Sequence, residues 1–312
     1  HCCRLAADKS FAKASERMHE MLGVELCPET VRTMVEGHGK KMAQFQAQDT
    51  ASELAFQKAK GEGEFTTDAA KVNTREEGWK DLKIALVSKR PLGEPTTPEH
   101  WNKQRLQKYT IALAFAMIAP AKEFRKRWRP WLGRLGVNCM ASVHALGDGA
   151  SWIWKAVQRA LTGCLQTLDF WHACQHVHKC AERVFGENTP ECKLAYQSGR
   201  TLLASQGWAG ICQWVSELLS VQDEKERERR RKFTDRLIGY FSAHTQRLNY
   251  AQCLQKGQVI GSGQVEGEAK TLGLRMKNRG ARWNLANIRP MASLVCVANT
   301  TQWDSYWTSM TA

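Results

Sequence analysis

The sequence predicts an α/β fold, and three features of the chain carry that prediction. A hairpin pattern opens near Gly61, where Glu64 to Thr67 lead into Asp68, and the turn-like Arg75 Glu76 Glu77 Gly78 precedes a second strand from Trp79 to Ser88. A strand, helix, strand succession between Val137 and Asp169 implies a parallel unit. From Trp171 to Gln255 helical spacing then takes over, which reads as an all-helical insertion.

Taken in order, residues 1–60 form a helical N-terminal region. Phe11, Ala14, Met18, Met21 and Leu22 follow helical spacing, Gly23 closes that run, and Pro28 to Gly37 form a second helix; the pair is either a helix-turn-helix or a plain helical hairpin. Residues 61–170 hold the first part of the core. After the hairpin, Pro91, Gly93, Pro95 and Pro98 mark an exposed loop, and Tyr109 to Ile118 is a third strand or a helix. Phe124 to Leu135 reads as a basic helix rich in Trp. Val137 to Leu146 leads into Gly147 Asp148 Gly149, Ser151 caps a helix with Ile153, Trp154, Val157 and Leu161 on its buried stripe, and Cys164 to Leu168 is a strand ending at Asp169. The insertion is 171–256, in which the charged run Asp223 to Lys232 reads as a solvated helix face. Residues 257–312 hold one strong helix, a basic glycine-containing segment and a last apolar helix around Ala292 to Val297.

Composition narrows the classes of function. The 312 residues carry 45 Lys and Arg against 31 Asp and Glu, a net charge of +14 that attracts polyanions. The positive charge is clustered in Lys122 to Arg134, Arg227 to Arg236 and Lys270 to Arg289, as a phosphate track requires. The longest apolar run, Ile111 to Ala119, is far short of the roughly 20 residues of a membrane span. Eleven Cys without a CxxC pair favour neither a zinc ribbon nor a disulfide framework and fit a reducing cytoplasm. The start, His1 Cys2 Cys3 Arg4, has neither an initiator Met nor a signal-peptide pattern and is read as a truncation.

Asp68 and Asp148 fall where the expected strands end, and Glu266 falls in the first turn of the helix after Gly261 Ser262 Gly263. Three hard oxygen ligands of this kind suit Mg²⁺ or Mn²⁺, which activate water and stabilise a leaving oxygen in phosphodiester chemistry. An acid at a strand end is also an ordinary turn or cap residue.

At these residues the chain resembles the DDE-type transposases of bacterial insertion sequences, particularly the Kra type and more distantly the Mutator-like group. The resemblance rests on ordered motifs: Thr67 Asp68 with Asn73 and Gly78 Trp79 Lys80; Leu146 Gly147 Asp148 Gly149 Ala150 with Trp152 Ile153; Leu168 Asp169 Phe170 Trp171 His172; Gly261 Ser262 Gly263 with Val265 Glu266 and Lys270; Arg275 Met276 Lys277 with Gly280, Arg282 and Trp283; and a closing Trp303 Asp304 Ser305 Tyr306 Trp307. The motifs span residues 67 to 307 in order, with Ala69 standing where many relatives have Gly.

The resemblance implies an RNase H-like mixed five-stranded sheet flanked by helices, with the metal acids on the first strand, the fourth strand and a late helix. It makes Asp68, Asp148 and Glu266 catalytic ligands of two Mg²⁺ or Mn²⁺ ions, with Asp169 and His172 as accessory site residues. The implied activity is metal-dependent hydrolysis and strand transfer at the ends of an insertion sequence, by a homo-oligomer assembled on double-stranded DNA in the bacterial cytoplasm, at the nucleoid. An RNase H-like nuclease or junction resolvase, or a catalytically decayed DNA-binding remnant, is the alternative.

Helix geometry chooses between Glu266 and its neighbour Glu268. Val265, Ala269, Leu272 and Met276 share an apolar face, Glu266, Lys270, Gly273 and Lys277 share a polar one, and Glu268 is expected to point to solvent. Asp169 also reads as a helix N-cap. His172, His176 and Cys180 share a helix face but leave zinc one ligand short. Lys270, Arg275, Lys277, Arg279 and Arg282, with Trp283 interleaved, read as a DNA-phosphate cluster or as a solvated helix end.

Overall fold

The structure, a computed structural model, describes residues 1–277 and 281–311. Four helices open the chain: α1 (Cys2–Ala6), α2 (Phe11–Leu22), α3 (Pro28–Gln48) and α4 (Thr50–Lys58). Ser10 caps α2 by accepting from the Lys13 amide, and Gly23 ends it at φ 64°, a left-handed conformation that glycine adopts without a Cβ penalty. The second helix of this region runs well past Gly37, because its stripe of Val31, Val35, Gly39 and Met42 stays buried.

Strands β1 (Glu62–Thr74) and β2 (Gly78–Arg90) form the hairpin expected around Arg75 to Gly78, and β3 (Ile111–Ile118) settles the ambiguous third segment as a strand. The segment is apolar without alternation because both of its faces are covered. Two short helices, α5 (Ala121–Lys126) and α6 (Trp128–Arg134), precede β4 (Val143–Gly147), α7 (Ser151–Ala160) and β5 (Leu165–Leu168). Residues Val137–Cys139 form a 3-10 turn instead of the start of a strand. The helical stretch comprises α8 (Phe170–Phe185), α9 (Pro190–Gln206), α10 (Trp208–Leu219), α11 (Glu224–Ser242) and α12 (Tyr250–Gln255); α13 (Gly263–Met276), α14 (Leu285–Asn299) and α15 (Gln302–Thr311) end the chain.

The five strands make one mixed sheet in the order β3-β2-β1-β4-β5, with β2 antiparallel to both neighbours and β4 and β5 parallel to β1. Side chains alternate across it and feed two cores. Ala85, Val87, Ile111 and Leu113 point into one that α5 to α12 cover, and Ile84, Leu86, Ala114 and Ala116 point into another shared with α1 to α3, α13 and α14. Helices α1 to α3 therefore pack on the same sheet face as α13, while Phe56 of α4 enters the core on the other face. Helix α3 lies against α14 at close range: a Cβ on Gly39 would sit 2.5 Å from the Pro290 carbonyl oxygen. The buried stripe of α3 faces this contact.

His144, on β4, is 2% exposed. The Thr167 hydroxyl donates to Asn249 Oδ1 at 2.7 Å, so the contact of His144 Nε2 with Thr167 Oγ1 at 2.8 Å is made by Nε2–H donating. Burial pushes this imidazole down from 6.5 to about 3, which keeps it neutral in the folded state. The unfolded chain binds a proton below 6.5 that the folded chain refuses, so stability is full above 6.5 and is lost as the pH falls toward 3. The expected slope approaches ~1.4 kcal/mol per pH unit. Urea unfolding at pH 7.5, 6 and 5 checks it, with His144→Gln expected to flatten the decline.

Candidate metal centre

Two neighbouring parallel strands place the two aspartates. Thr66 on β1 pairs with Leu146 on β4, and the parallel pairing ends there, two residues before Asp68 on one strand and two before Asp148 on the other. Asp148 leaves the sheet immediately after β4, as expected. Asp68 does not end its strand: β1 continues to Thr74, paired along its length with β2. The hairpin outruns the parallel neighbour β4, so the edge of β1 at Asp68 has no paired residue on that side, and Asp68 is half-buried.

Helix α13 packs across β1 through Val265, Ala269, Leu272 and Met276. Its other side borders an open groove in which Glu266, Lys270, Gly273 and Lys277 lie along one wall and Asp68 and Lys71 along the other. The Asp68 carboxyl is raised above the ordinary aspartate value, first by burial and then by the negative charges of Asp148 and Glu266; the Ala69 amide and His172 oppose the shift. Asp148 and Glu266 thus each act on Asp68.

A second, tighter arrangement joins it. Asp169 follows β5, is fully buried, and spends both carboxylate oxygens: Oδ1 accepts from the His172 amide at 2.8 Å, capping α8, and Oδ2 accepts from the Ser262 amide and hydroxyl. The Ser262 hydroxyl also lies 3.0 Å from Glu266 Oε1, and His172 Nε2 lies 3.9 Å from the same oxygen. Among the described residues, Asp169, His172 and Glu266 offer ligand atoms that all lie within 4.8 Å of one another; that group does not include Asp68 or Asp148. The one hydroxyl proton of Ser262 faces two carboxylates, and Asp68 and Asp148 add two more acids. This excess of acceptors over donors fits a bound cation.

Several expectations on α13 and beyond are corrected. Glu268 does not face solvent: it is 7% exposed, turned toward Cys296 and Asn299 of α14, and burial pushes its carboxyl up to about 7. Arg275 does not face DNA either. It is 2% exposed, its guanidinium carbon 4.6 Å from the Phe11 ring and 4.9 Å from the Trp283 ring, with Nε donating to the Ala6 carbonyl at 2.6 Å. Trp283 is likewise buried; its indole donates to the Met276 carbonyl and its backbone pairs with Asn73 and Arg75 at the hairpin. Both residues pin the basic segment to α1 and the hairpin, which removes them from any phosphate. Lys270, Lys277 and Arg282 are exposed, and Arg279 lies outside the described residues.

Two residues at the site carried no assigned role from sequence. Ser262 sits inside the Gly261 Ser262 Gly263 motif, and its hydroxyl links Asp169 to Glu266. Tyr240 comes from α11; a Cβ on Gly149 would collide with its hydroxyl and ring, so the residue after Asp148 must be Gly for the ring to approach. Nothing local to Tyr240 signals that contact.

No protein-family model matches the chain, and no curated protein matches it. Among the described residues no helix is long and apolar enough to cross a membrane.

Proposed function

We propose that this chain is the RNase H-like catalytic core of an insertion-sequence DNA transposase, with Asp68, Asp148 and Glu266 as the carboxylates that hold two Mg²⁺ or Mn²⁺ ions. The observation that carries the reading is the groove lined by Asp68 of β1 and Glu266 of α13, beside the end of β4 that Asp148 directly follows. The strand order, with three antiparallel strands followed by two parallel ones and a helical stretch before α13, supports the fold implied by the motifs.

Divalent ions bound there supply an activated water and neutralise the departing oxygen of a phosphodiester. The chain's own residues do the rest. Ser262 and Asp169 fix the first turn of α13 and with it the direction of Glu266. His172 stands beside Glu266 and tempers the negative charge on Asp68. Lys71, Lys270 and Lys277 line the groove that leads away from Asp68, where they bind phosphates along a strand. DNA ends and target are the substrates, the working form is a homo-oligomer on DNA, and the setting is the bacterial nucleoid.

The test uses the purified chain with a plasmid carrying the DNA that flanks its gene on either side. Nicks at the element ends and joined products, both dependent on Mg²⁺ or Mn²⁺ and abolished by EDTA, are expected. Cleavage without joining moves the assignment to a nuclease, and retained DNA binding with no cleavage in either metal moves it to a non-catalytic remnant.

A further inference from the structure

A groove distinct from the one beside Asp68 runs between α8 and α11. On α8, His172, His176, Lys179 and Arg183 recur at spacings of four, three and four residues and share a face, which extends about 16 Å from the metal centre at 1.5 Å per residue. On α11, Tyr240, Arg236 and Phe233 face them in the opposite chain direction. The floor is apolar, with Cys180, Phe233 and Leu237, while Lys179, Arg183 and Arg236 at its rim are exposed, and none of these three cations is in an ion pair among the described residues. Among the described residues no carboxylate lines the stretch from His176 to Arg183 of α8 against Phe233, Arg236 and Leu237 of α11. At the end nearest the metal centre His176 and Tyr240 stack, ring centroids 3.6 Å apart and planes 15° apart, and Tyr240 touches Gly149 beside Asp148.

Uncompensated cations along a helix pair concentrate positive potential, and their burial-free rim keeps it available to a polyanion. A strip of positive charge over an apolar floor, opening at a pair of flat rings and continuous with the metal centre, matches a strand of nucleic acid: phosphates on the rim and a base against the rings. We infer that the groove between α8 and α11 holds the DNA strand that continues beyond the scissile phosphodiester, with Lys179, Arg183 and Arg236 on its phosphates and the His176–Tyr240 stack as the platform for the base nearest the cut. The inference rests on the transposase reading and adds to it the path of the flanking strand.

At 3.4 Å per nucleotide, 16 Å of groove spans about five nucleotides. The test therefore compares fluorescein-labelled element-end duplexes that stop at the cleavage position with duplexes carrying an eight-nucleotide single-stranded extension past it, by anisotropy across a salt series in Ca²⁺. The wild-type chain is expected to bind the extended DNA at least tenfold more tightly. The K179A/R183A/R236A variant is expected to lose that increment, bind the short duplex as before, and lower the slope of log K against log salt on the extended DNA by about 2 to 3, the product of three lost contacts and roughly 0.7–0.9 per contact. Loss of the same three charges at the exposed Lys108, Lys122 and Lys193 is expected to leave the increment in place, and R236E alone gives the same reading should the triple variant melt early. An increment kept by the groove variants, or absent from the wild type, overturns the inference. Mg²⁺-dependent cleavage by the wild type is read on the same DNAs, so its loss, which sinks the transposase reading, is seen separately from the loss of the groove.

Discussion

Asp148→Ala is expected to reduce Mg²⁺-dependent cleavage by roughly 10³-fold or more, about 4 kcal/mol of barrier, the scale on which removal of one preorganised charge-stabilising group acts. Asp148 has little structural duty to confuse the result: one oxygen accepts from the Ala150 amide at 2.8 Å as the chain turns into α7, and the backbone carbonyl, which the substitution keeps, accepts from Trp154. Stability should fall by about 1 kcal/mol, the net worth of one hydrogen bond. DNA affinity measured in EDTA should hold or rise, because a negative charge facing phosphate has been removed. Asp68→Ala and Glu266→Gln are expected to match it in cleavage, and Glu266→Gln should also lower the Asp68 carboxyl toward its ordinary value by deleting one of the charges that raise it. The measurement is single-turnover cleavage of an end duplex at saturating enzyme, with melting temperatures recorded alongside. Near wild-type rates in any of the three variants would remove that residue from the metal site.

How much of this was legible from sequence depends on the range over which each signal acts. The hairpin was legible because Arg75 to Gly78 carry a turn and the flanking residues alternate; the helix of α13 was legible because Val265, Ala269, Leu272 and Met276 repeat at helical spacing. Periodicity fixes angles around one helix but says nothing of what stands opposite. Glu268 was expected in water because it points away from Glu266, and that direction is where α14 packs. The basic segment misled in a related way. Arg275, with no acid near it in sequence, resembled a phosphate ligand, but Phe11 and Trp283, one from the far end of the chain, close on both sides of it. The length of β1 beyond Asp68 was hidden for a different reason: partly exposed Lys71 and Asn73 break the apolar run, and only the pairing with β2 keeps the backbone extended. The link from Asp169 through Ser262 to Glu266 spans loops about 90 residues apart, and no local pattern encodes it.

That link carries the second large effect. Asp169 presented two readings, helix N-cap and accessory site residue, and the structure shows one carboxylate performing the capping with Oδ1 while Oδ2 holds Ser262. Asp169→Ala removes a cap worth about 1 kcal/mol and strands the buried Ser262 amide at a further ~1–3 kcal/mol, while the Ser262 hydroxyl keeps Glu266 as its acceptor. A total near 3 kcal/mol is expected, which lowers the melting temperature by about 6 °C or more at roughly 2–4 °C per kcal/mol. Asp169→Asn separates cap from link: its amide oxygen can still accept from the His172 amide, while its amide nitrogen meets the Ser262 amide donor to donor. The Asn variant should therefore unfold at an intermediate temperature, and Ser262→Ala should cost less than either, since the Ser262 backbone amide keeps its partner. If Asp169 acts by aiming Glu266, Mn²⁺ affinity by calorimetry weakens in the same order as stability, with Ser262→Ala included. A direct ligand breaks that order: Asp169→Asn then loses metal as completely as Asp169→Ala while Ser262→Ala binds normally, and the carboxylate would have to release Ser262 to reach the ion.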